Sequence, residues 1–460
     1  MPFDENEILF TDSDPEYRNT RLESGIPPPS LSTLPRPIRN VRAKNGYEPS
    51  QQQQQQQQQQ RSAPITAMPS QPKVDISARL LFVINNQHGS KLAELLATQE
   101  WSRMMSDKDD VRGRRTDERL CNSGLLQNID KCKQVLAQMP PNVVDSACRS
   151  IHQYAAVSQS ALDNEAAIML GHLDFLLQPI REYMQPGRLL NYVDLGSHKH
   201  GFSQYIRWRA GQQSGGMKTQ GWYFASSVSA SDTPASKDLR AFAEPGGILD
   251  PRNIEQFVQV VRGDCADGVD VVVADSCLDG SGLNASEEKQ QYPFTIAQAA
   301  VALRVLRRGG TFVFKAFEAS TPLSAELLFL IYACFERMAI VRSSVSQITS
   351  SERYVVCNRL NADPRWVSSH LLAALAKMHA GQLKLSHLVS WTRVSSDKHF
   401  IEPVFRSNMA IAQMQLQSLN AVAAYKQPPS SSSYSKHQIE TASACLQQWN
   451  LPAIKPSLLN

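Results

Sequence analysis

The chain lacks the features that mark secreted, membrane or zinc-binding proteins. Its eight cysteines are scattered, without a C-x-x-C pair or a Cys/His cluster at zinc spacing, so we expect reduced thiols, no metal site and a cytosolic or nuclear protein. No apolar run approaches the roughly 20 residues that a membrane helix needs. The acidic start, Met-Pro-Phe-Asp-Glu-Asn-Glu, does not predict a signal peptide. The net charge of +4 permits nucleic-acid binding without arguing for it.

Residues 1–75 are poor in side chains that could form a core. They contain a proline-rich stretch (Pro27, Pro28, Pro29, Pro35 and Pro37) and an unbroken glutamine tract from Gln51 to Gln60. Such a composition buries too little apolar surface to offset chain entropy, so we predict a disordered tail. A tail that binds protein partners and a plain spacer are both open.

The remaining chain predicts an α/β domain with helical flanks. Residues 76–185 predict a mostly helical extension that begins with a strand at 76–85. Residues 186–360 alternate short apolar runs with helical patterns at 292–307 and 321–337, which favours a parallel sheet with helices on both faces. The predicted strands are 189–195, 221–225, 269–275, 310–317, 338–342 and 353–357. Residues 361–426 predict a helical appendage, and 427–460 a flexible tail.

The segment Tyr192–Ser203 looks like the first strand and the phosphate-side loop of a nucleotide-type cofactor fold. Asp194 ends the strand, and a turn leads to a helical pattern from Phe202. Such loops need glycine, because only a residue without Cβ lets the backbone turn tightly and touch the cofactor. Here two of the expected small positions hold histidine and one holds lysine, so the sequence predicts a cofactor fold with an obstructed loop.

Asp275, Lys315 and Glu352 form the strongest candidate cluster. Asp275 follows an apolar strand, Lys315 interrupts one, and Glu352 precedes another. A lysine inside a buried strand is costly unless it is paired or has a chemical role. An acid nearby would tune its pKa for work on a hydroxyl. An ion pair that only tethers the strands is the alternative, and composition leaves both open.

Several motifs together resemble a known enzyme family. They are Asp-Leu-Gly-Ser-His-Lys-His-Gly-Phe-Ser-Gln-Tyr from Asp194, Pro251-Arg-Asn-Ile, Val-Val-Ala-Asp275, Gly-Gly-Thr-Phe-Val-Phe-Lys315-Ala-Phe-Glu, Thr321-Pro-Leu-Ser, Cys334-Phe-Glu-Arg and Ser351-Glu-Arg-Tyr-Val-Val-Cys. Residues 189–357 resemble the RrmJ/FtsJ-type methyltransferase domain of eukaryotic cap-specific mRNA 2'-O-methyltransferases, the class that forms cap 1. The resemblance extends over roughly 125–425 and implies a Rossmann-like class I methyltransferase sheet.

The resemblance implies S-adenosylmethionine as cofactor, capped mRNA as substrate, and a nuclear or else cytoplasmic location. The family's Lys-Asp-Lys-Glu tetrad positions and polarises a ribose 2'-hydroxyl. Asp275, Lys315 and Glu352 match its last three members, and Met169 stands in place of the first lysine. A thioether cannot donate a charged hydrogen bond. The resemblance also implies that the cofactor is bound by Asn164, Asp194, Gly196, Ser197, Gly201 and Phe202, and RNA by Lys133 and Ser350.

Two further departures fall on the cofactor side. The family's Gly-Pro-Gly-Gly-Phe is His198-Lys199-His200-Gly201-Phe202 here, and Gly247 replaces a cofactor-contacting aspartate. The first hypothesis is therefore a cap 2'-O-methyltransferase, which needs an open cleft beside the 196–202 loop. The second is a catalytically impaired member that acts as an RNA- or protein-binding subunit, with His198 or His200 filling that cleft.

Other basic residues could follow an RNA chain, although a solvated helix face is the simpler interpretation for most of them. They are Arg112, Arg114, Arg115, Lys131, Arg207, Arg209, Arg304, Arg307 and Arg308.

Overall fold

The computed structural model describes residues 80–89, 91–98, 115–213, 216–225, 238–275, 287–381, 385–426 and 434–456. The predicted disordered tail, including the glutamine tract, lies outside these residues. Within them, no helix combines the length and the apolar character that crossing a membrane requires.

An eight-stranded sheet forms the centre of the fold, and it carries helices on both faces. The strands are β1 (Leu80–Asn85), β2 (Leu190–Leu195), β3 (Thr219–Phe224), β4 (Leu239–Phe242), β5 (Val269–Ala274), β6 (Leu306–Ala316), β7 (Phe335–Arg342) and β8 (Arg353–Leu360). The helices are α1 (Lys91–Leu96), α2 (Ser123–Ala137), α3 (Pro141–Ile151), α4 (Glu165–Leu177), α5 (Gly201–Gly211), α6 (Pro251–Asp264), α7 (Glu287–Val305), α8 (Pro322–Tyr332), α9 (Arg365–His379), α10 (Trp391–Val394), α11 (Lys398–Ala423) and α12 (Lys436–Trp449).

The strand order is β1-β7-β8-β6-β5-β2-β3-β4. From β2 the chain moves outward through β3 to β4, then returns to start the other half with β5 and β6. The order therefore reverses between β2 and β5, which are parallel neighbours. In open α/β sheets, ligands bind in the crevice at such a switch point, outside the carboxyl ends of the strands. Asp194 and Asp275 belong to those two strand ends.

One half of the sheet differs from the predicted parallel arrangement. β8 is antiparallel to both β6 and β7, and β1 is antiparallel to β7. The reason is the short 343–352 connection between β7 and β8, since parallel neighbours need a long crossover that usually contains a helix. β4 was also missed, because its four residues include exposed Arg240 and form no apolar run. The helix predicted to reach residue 337 ends at Tyr332, where the chain turns into β7.

Alternation along the strands sends the candidate polar residues to one face. Val271 and Val273 of β5, Val313 of β6 and Val356 of β8 share an apolar cluster with α4, α5 and α12. Asp275 and Lys315 have the same parity as these valines, so their side chains belong to this face, which we call the α4 face. The opposite face packs against α6, α7, α8, α9 and the first half of α11.

The C-terminal segment predicted to be flexible contains a packed helix. Ser435 and Gln438 form a capping box that starts α12. Its Trp449 stacks on the ring of His172 in α4, with the ring centroids 4.1 Å apart. Leu451 lies over Gly171, where a Cβ would stand only 2.7 Å from its Cδ2. The prediction of a flexible tail was wrong for residues 434–456, because it followed the serine-rich run that precedes this helix.

Trp449→Ala should lower the free energy of unfolding by about 3–5 kcal/mol, because it empties a buried aromatic site beneath α4. Gln447→Ala is the matched control, since Gln447 is an exposed residue of the same helix and its loss should cost under about 0.5 kcal/mol. Urea unfolding of the two variants, monitored by far-ultraviolet circular dichroism and not by tryptophan fluorescence, measures the difference. Equal effects would show that α12 does not stabilise α4.

Candidate active site

Asp275, Lys315 and Glu352, predicted from distant parts of the sequence, meet at the carboxyl end of the sheet. Lys315 Nζ lies 2.8 Å from Asp275 Oδ1 and 3.5 Å from Glu352 Oε2. The side chain of Asp275 is 8% exposed, that of Lys315 13% and that of Glu352 14%. A buried ion-paired lysine that keeps a small exposed fraction can reach a substrate at the sheet edge.

Strand register brings the three residues together. Ala274 pairs with Phe314 in the parallel β5–β6 ladder, so Asp275 and Lys315 are the next residues of each chain. Lys315 pairs with Tyr354 in the antiparallel β6–β8 ladder, and Glu352 lies two residues before Tyr354. The Tyr354 hydroxyl also donates to Asp275 Oδ1, at 3.4 Å. The geometry of the cluster therefore follows from the sheet itself.

The cluster carries more carboxylate than ammonium. Burial raises the pKa of Asp275, while the charge and hydrogen bond of Lys315 oppose that rise. The ammonium of Lys315 is shared between the two carboxylates. A second, buried cation lies near Glu352, because Arg342 interacts with its charge and Nη1 of Arg342 donates to its carbonyl.

Met169 supplies no such cation. It lies on α4, is only 6% exposed, and belongs to the same apolar cluster as Phe202, Val313 and Tyr354. The position to which the resemblance assigns the first tetrad lysine is therefore part of the apolar packing of the α4 face.

Asp194 organises the loop that follows β2. Its fully buried carboxylate accepts hydrogen bonds from the backbone N–H and the hydroxyl of both Ser197 and Ser203, at 2.7 to 3.2 Å. Burial raises the pKa of Asp194 to about 6 against these hydrogen bonds. Gly196 makes the turn with φ +74°. Asp194, Gly196 and Ser197 thus shape the loop.

The loop closes tightly onto the start of α4. A Cβ on Gly201 would lie 2.1 Å from Asn164 Oδ1, so only glycine fits there. Asn164 itself caps α4, accepting a hydrogen bond from Ala167 N at 3.2 Å. Phe202 is fully buried and its amide donates to Ser197 Oγ, at 3.1 Å. The predicted cofactor residues therefore converge in one place, between β2, α4 and α5.

Lys199 and His200 adopt a conformation that favours glycine. Both have φ 46°, a left-handed region that costs a side-chain-bearing residue about 1 kcal/mol or more. Lys199 is exposed, whereas His200 is half-buried and its ring lies edge-on to Tyr223 with centroids 5.5 Å apart. The side chain of His198 lies outside the described residues. The loop thus places two residues with side chains in a conformation that favours glycine, and one of them, His200, packs against Tyr223.

Lys199→Gly should raise the free energy of unfolding by about 1 kcal/mol, because glycine adopts positive φ without strain. The matched control is Lys131→Gly, which makes the same change at an exposed position inside α2 and should lower it by about 1 kcal/mol. Guanidinium unfolding of both variants measures the difference. A loss of stability in both would mean that residue 199 is not left-handed in solution.

Lys133 and Ser350, the predicted RNA contacts, converge on Glu287 at the start of α7. Lys133 Nζ lies 3.1 Å from Glu287 Oε2, and Ser350 Oγ donates to Glu287 Oε1 at 2.7 Å. Both side chains are buried. Sequence analysis missed Glu287, because Glu287-Glu288-Lys289 has the composition of an exposed helix start.

Three of the other basic candidates lie at the opposite end of the sheet. Arg304 pairs with Glu255, Arg307 pairs with Asp270, and Arg308 is exposed nearby. Arg307 follows Leu306, which pairs with Val269 at the amino end of β5, whereas Lys315 lies beyond the last β5–β6 pair, at the carboxyl end. These arginines cannot contact a nucleotide held at Lys315. Arg112 and Arg114 lie outside the described residues.

Comparison with known proteins finds similarity to methyltransferases. Residues 176–360 match the FtsJ-like methyltransferase family. The chain is 26% identical over 361 residues to the Drosophila melanogaster cap-specific mRNA (nucleoside-2'-O-)-methyltransferase 1, which covers 73% of this chain and 45% of that protein. It is 27% identical over 391 residues to the Homo sapiens protein of that name, which covers 78% of this chain and 45% of the relative.

A solved ribosomal RNA methyltransferase from Plasmodium falciparum superposes with a TM-score of 0.33 and 14% identity, over 43% of this chain and 97% of that one. The chain spans less than half the length of the curated relatives it matches. The resemblance inferred from the motifs is confirmed: residues 176–360 match the FtsJ-like methyltransferase family, and the chain is similar, over 73–78% of its length, to eukaryotic cap-specific mRNA 2'-O-methyltransferases.

Proposed function

We propose that this chain is an S-adenosylmethionine-dependent methyltransferase that modifies the ribose 2'-hydroxyl at the capped 5' end of mRNA, in the nucleus. The observation that carries the proposal is the Asp275–Lys315–Glu352 cluster at the switch-point end of the sheet. The names of the relatives supply the substrate class. Capped mRNA is the proposed partner.

Lys315 carries the chemistry in this proposal. Its ammonium, held by Asp275 and Glu352, would donate a hydrogen bond to the ribose O2' and stabilise the negative charge that develops there as the hydroxyl proton passes to Glu352, the more exposed of the two carboxylates. A preorganised donor of this kind is worth more in a water-poor site than in solution, because it does not have to reorient during the reaction. Asp275 and Glu352 fix the direction of the Lys315 Nζ–H bonds.

The loop between β2 and α5 would hold the cofactor. When bound, S-adenosylmethionine supplies an electrophilic methyl group. Gly196 and Gly201 keep the loop close to β2 and α4, and Asp194 and Ser197 hold its shape. Asn164 and Phe202 line the same region. The buried ring of Phe202 would exclude water from this region.

A second candidate is a catalytically impaired member that binds RNA or protein. Two observations favour it: Met169 brings no ammonium to the acidic cluster, and half-buried His200 stands at a loop position that favours glycine, with its ring against Tyr223. In this alternative the fold is retained while methyl transfer is slow or lost.

Calorimetric titration with S-adenosylmethionine and S-adenosylhomocysteine separates the two candidates. The proposed enzyme binds both at micromolar concentration and transfers labelled methyl groups to capped RNA, but not to the same RNA already methylated at the 2'-oxygen. An absence of binding at millimolar cofactor would exclude an autonomous enzyme. Binding without transfer to any capped RNA would support the impaired member.

A further inference from the structure

The backbone of Glu352 is held by side chains and not by the sheet. The last pair of the β6–β8 ladder is Ala316 with Arg353, and β7 pairs no further than Tyr354. Glu352 therefore lies one residue beyond the ladder, where its N–H and C=O need other partners. Ser350 Oγ accepts the Glu352 N–H at 3.0 Å, and Arg342 Nη1 donates to the Glu352 carbonyl.

The hydroxyl oxygen of Ser350 is free to accept that hydrogen bond because its O–H group points to Glu287. Ser350 Oγ donates to Glu287 Oε1 at 2.7 Å. An ionised carboxylate only accepts hydrogen bonds, so it directs the hydroxyl proton to itself and leaves a lone pair for the Glu352 amide. The orientation of Ser350 thus depends on the charge of Glu287.

Lys133 maintains that charge. Glu287 is buried, and burial together with neighbouring Glu318 raises its pKa, whereas Lys133 lowers it. Lys133 Nζ lies 3.1 Å from Glu287 Oε2, and Lys133 is 3% exposed. The positive charge of a lysine buried this deeply balances the charge of the adjacent carboxylate. Little of the side chain remains exposed for contact with a phosphate.

We propose that Lys133, Glu287 and Ser350 are positioning residues that act in series to hold Glu352 against Lys315, and that Lys133 and Ser350 are not RNA contacts. The inference rests on the proposed function, because it assigns these residues to the 2'-O-methyl transfer site. It links α2, α7 and the β7–β8 connection to a single carboxylate of that site.

The test compares Ser350→Ala with Ser351→Ala. Ser351 is an adjacent buried serine whose hydroxyl lies between two carboxylates, contacting Glu318 Oε2 and, at 3.2 Å, Glu287 Oε2, but it makes no hydrogen bond with the Glu352 amide. We expect Ser350→Ala to lower kcat about tenfold, the effect of losing one buried hydrogen bond, with KM for capped RNA unchanged. Ser351→Ala should change kcat less than twofold, and Ser350→Thr, which keeps the hydroxyl, should recover most of the rate.

A rise in KM for capped RNA at constant kcat in Ser350→Ala would overturn the proposal and establish Ser350 as an RNA contact. Equal kinetics in the two alanine variants would also overturn it.

Hydrogen exchange of the Glu352 amide tests the same contact without activity. In full-length protein, overlapping peptides that end on either side of Glu352 should show exchange at least tenfold faster in Ser350→Ala, and unchanged exchange in Ser351→Ala. If the wild-type chain transfers no methyl group, the proposed function fails, and this measurement still decides whether Ser350 holds Glu352. Equal exchange in both variants contradicts the inference.

Discussion

We expect Lys315→Ala to lower kcat/KM for methyl transfer to capped RNA by about a thousandfold and to change the affinity for S-adenosylmethionine less than threefold. The magnitude is that of removing a preorganised charged donor from a transition state, about 10²–10³ for one donor and more when the group acts as part of a unit. Lys315 contacts both Asp275 and Glu352, so its loss also leaves two carboxylates without their counter-ion.

The control for this variant is Lys289→Ala. Lys289 is an exposed lysine of α7, close to Glu287 in the chain, and its removal changes net charge by the same amount. Labelled methyl transfer at saturating cofactor measures both variants, with calorimetry to report cofactor binding. Lys315→Arg should restore charge but less than a tenth of the rate, because a planar guanidinium cannot reproduce the ammonium geometry. If Lys315→Ala retained more than a tenth of wild-type activity, Lys315 would be a structural tether.

Met169→Lys is the second variant with a large expected effect, and it should raise kcat by about 10–100-fold. In the cluster, Asp275 and Glu352 share the single ammonium of Lys315, and Met169 lies on the helix that covers the same sheet face. A second ammonium would offer another donor to the developing alkoxide. The buried charge is tolerated only if it reaches a carboxylate.

Met169→Leu is the matched control, since it nearly conserves volume and stays apolar; it should change kcat less than twofold and stability by under about 1.5 kcal/mol. Single-turnover methyl transfer and thermal unfolding, run together, separate the outcomes. A lysine variant that loses stability and gains no rate would show that residue 169 does not face the carboxylates. It would then favour the impaired member over the enzyme.

The variants at residue 169 and the residues of the loop after β2 both bear on whether this chain is an active enzyme. Met169 concerns the chemical step, whereas Lys199 and His200 concern cofactor access. A chain that binds cofactor yet needs Met169→Lys for useful rates would be a slow enzyme with an intact loop. A chain that binds no cofactor would retain the fold for other contacts.

Motif and periodicity were enough to single out the candidate cluster. Asp275 ends an apolar run and Lys315 interrupts one, and parallel strands bring such positions to the same edge of a sheet. Glu352 precedes β8, and it joins them because β8 runs antiparallel to β6. The loop residues Asp194, Gly196 and Gly201 were recognisable for a similar reason, because a tight turn after a strand leaves a local pattern of small residues.

Helix α12 has sequence features that are typical of an amphipathic helix, although a flexible tail was predicted there. Ala442, Leu446 and Trp449 are spaced as one apolar face of a helix, and Ser435 with Gln438 forms its cap. The serine-rich run before it suggested a flexible end instead. Only the contacts with His172 and Gly171 show that this helix belongs to the core.

By itself, the sequence determined the α/β class, most of the strands, and the identity of the carboxylates and lysine at the sheet edge, since alternation and turn chemistry are properties of neighbouring residues. Tertiary structure alone decided the antiparallel course of β8, the burial of Lys133 and the role of Glu287. Lys133 and Glu287 are 154 positions apart. Whether a lysine meets phosphate or a buried carboxylate depends on which distant helix packs beside it, and no local pattern records that.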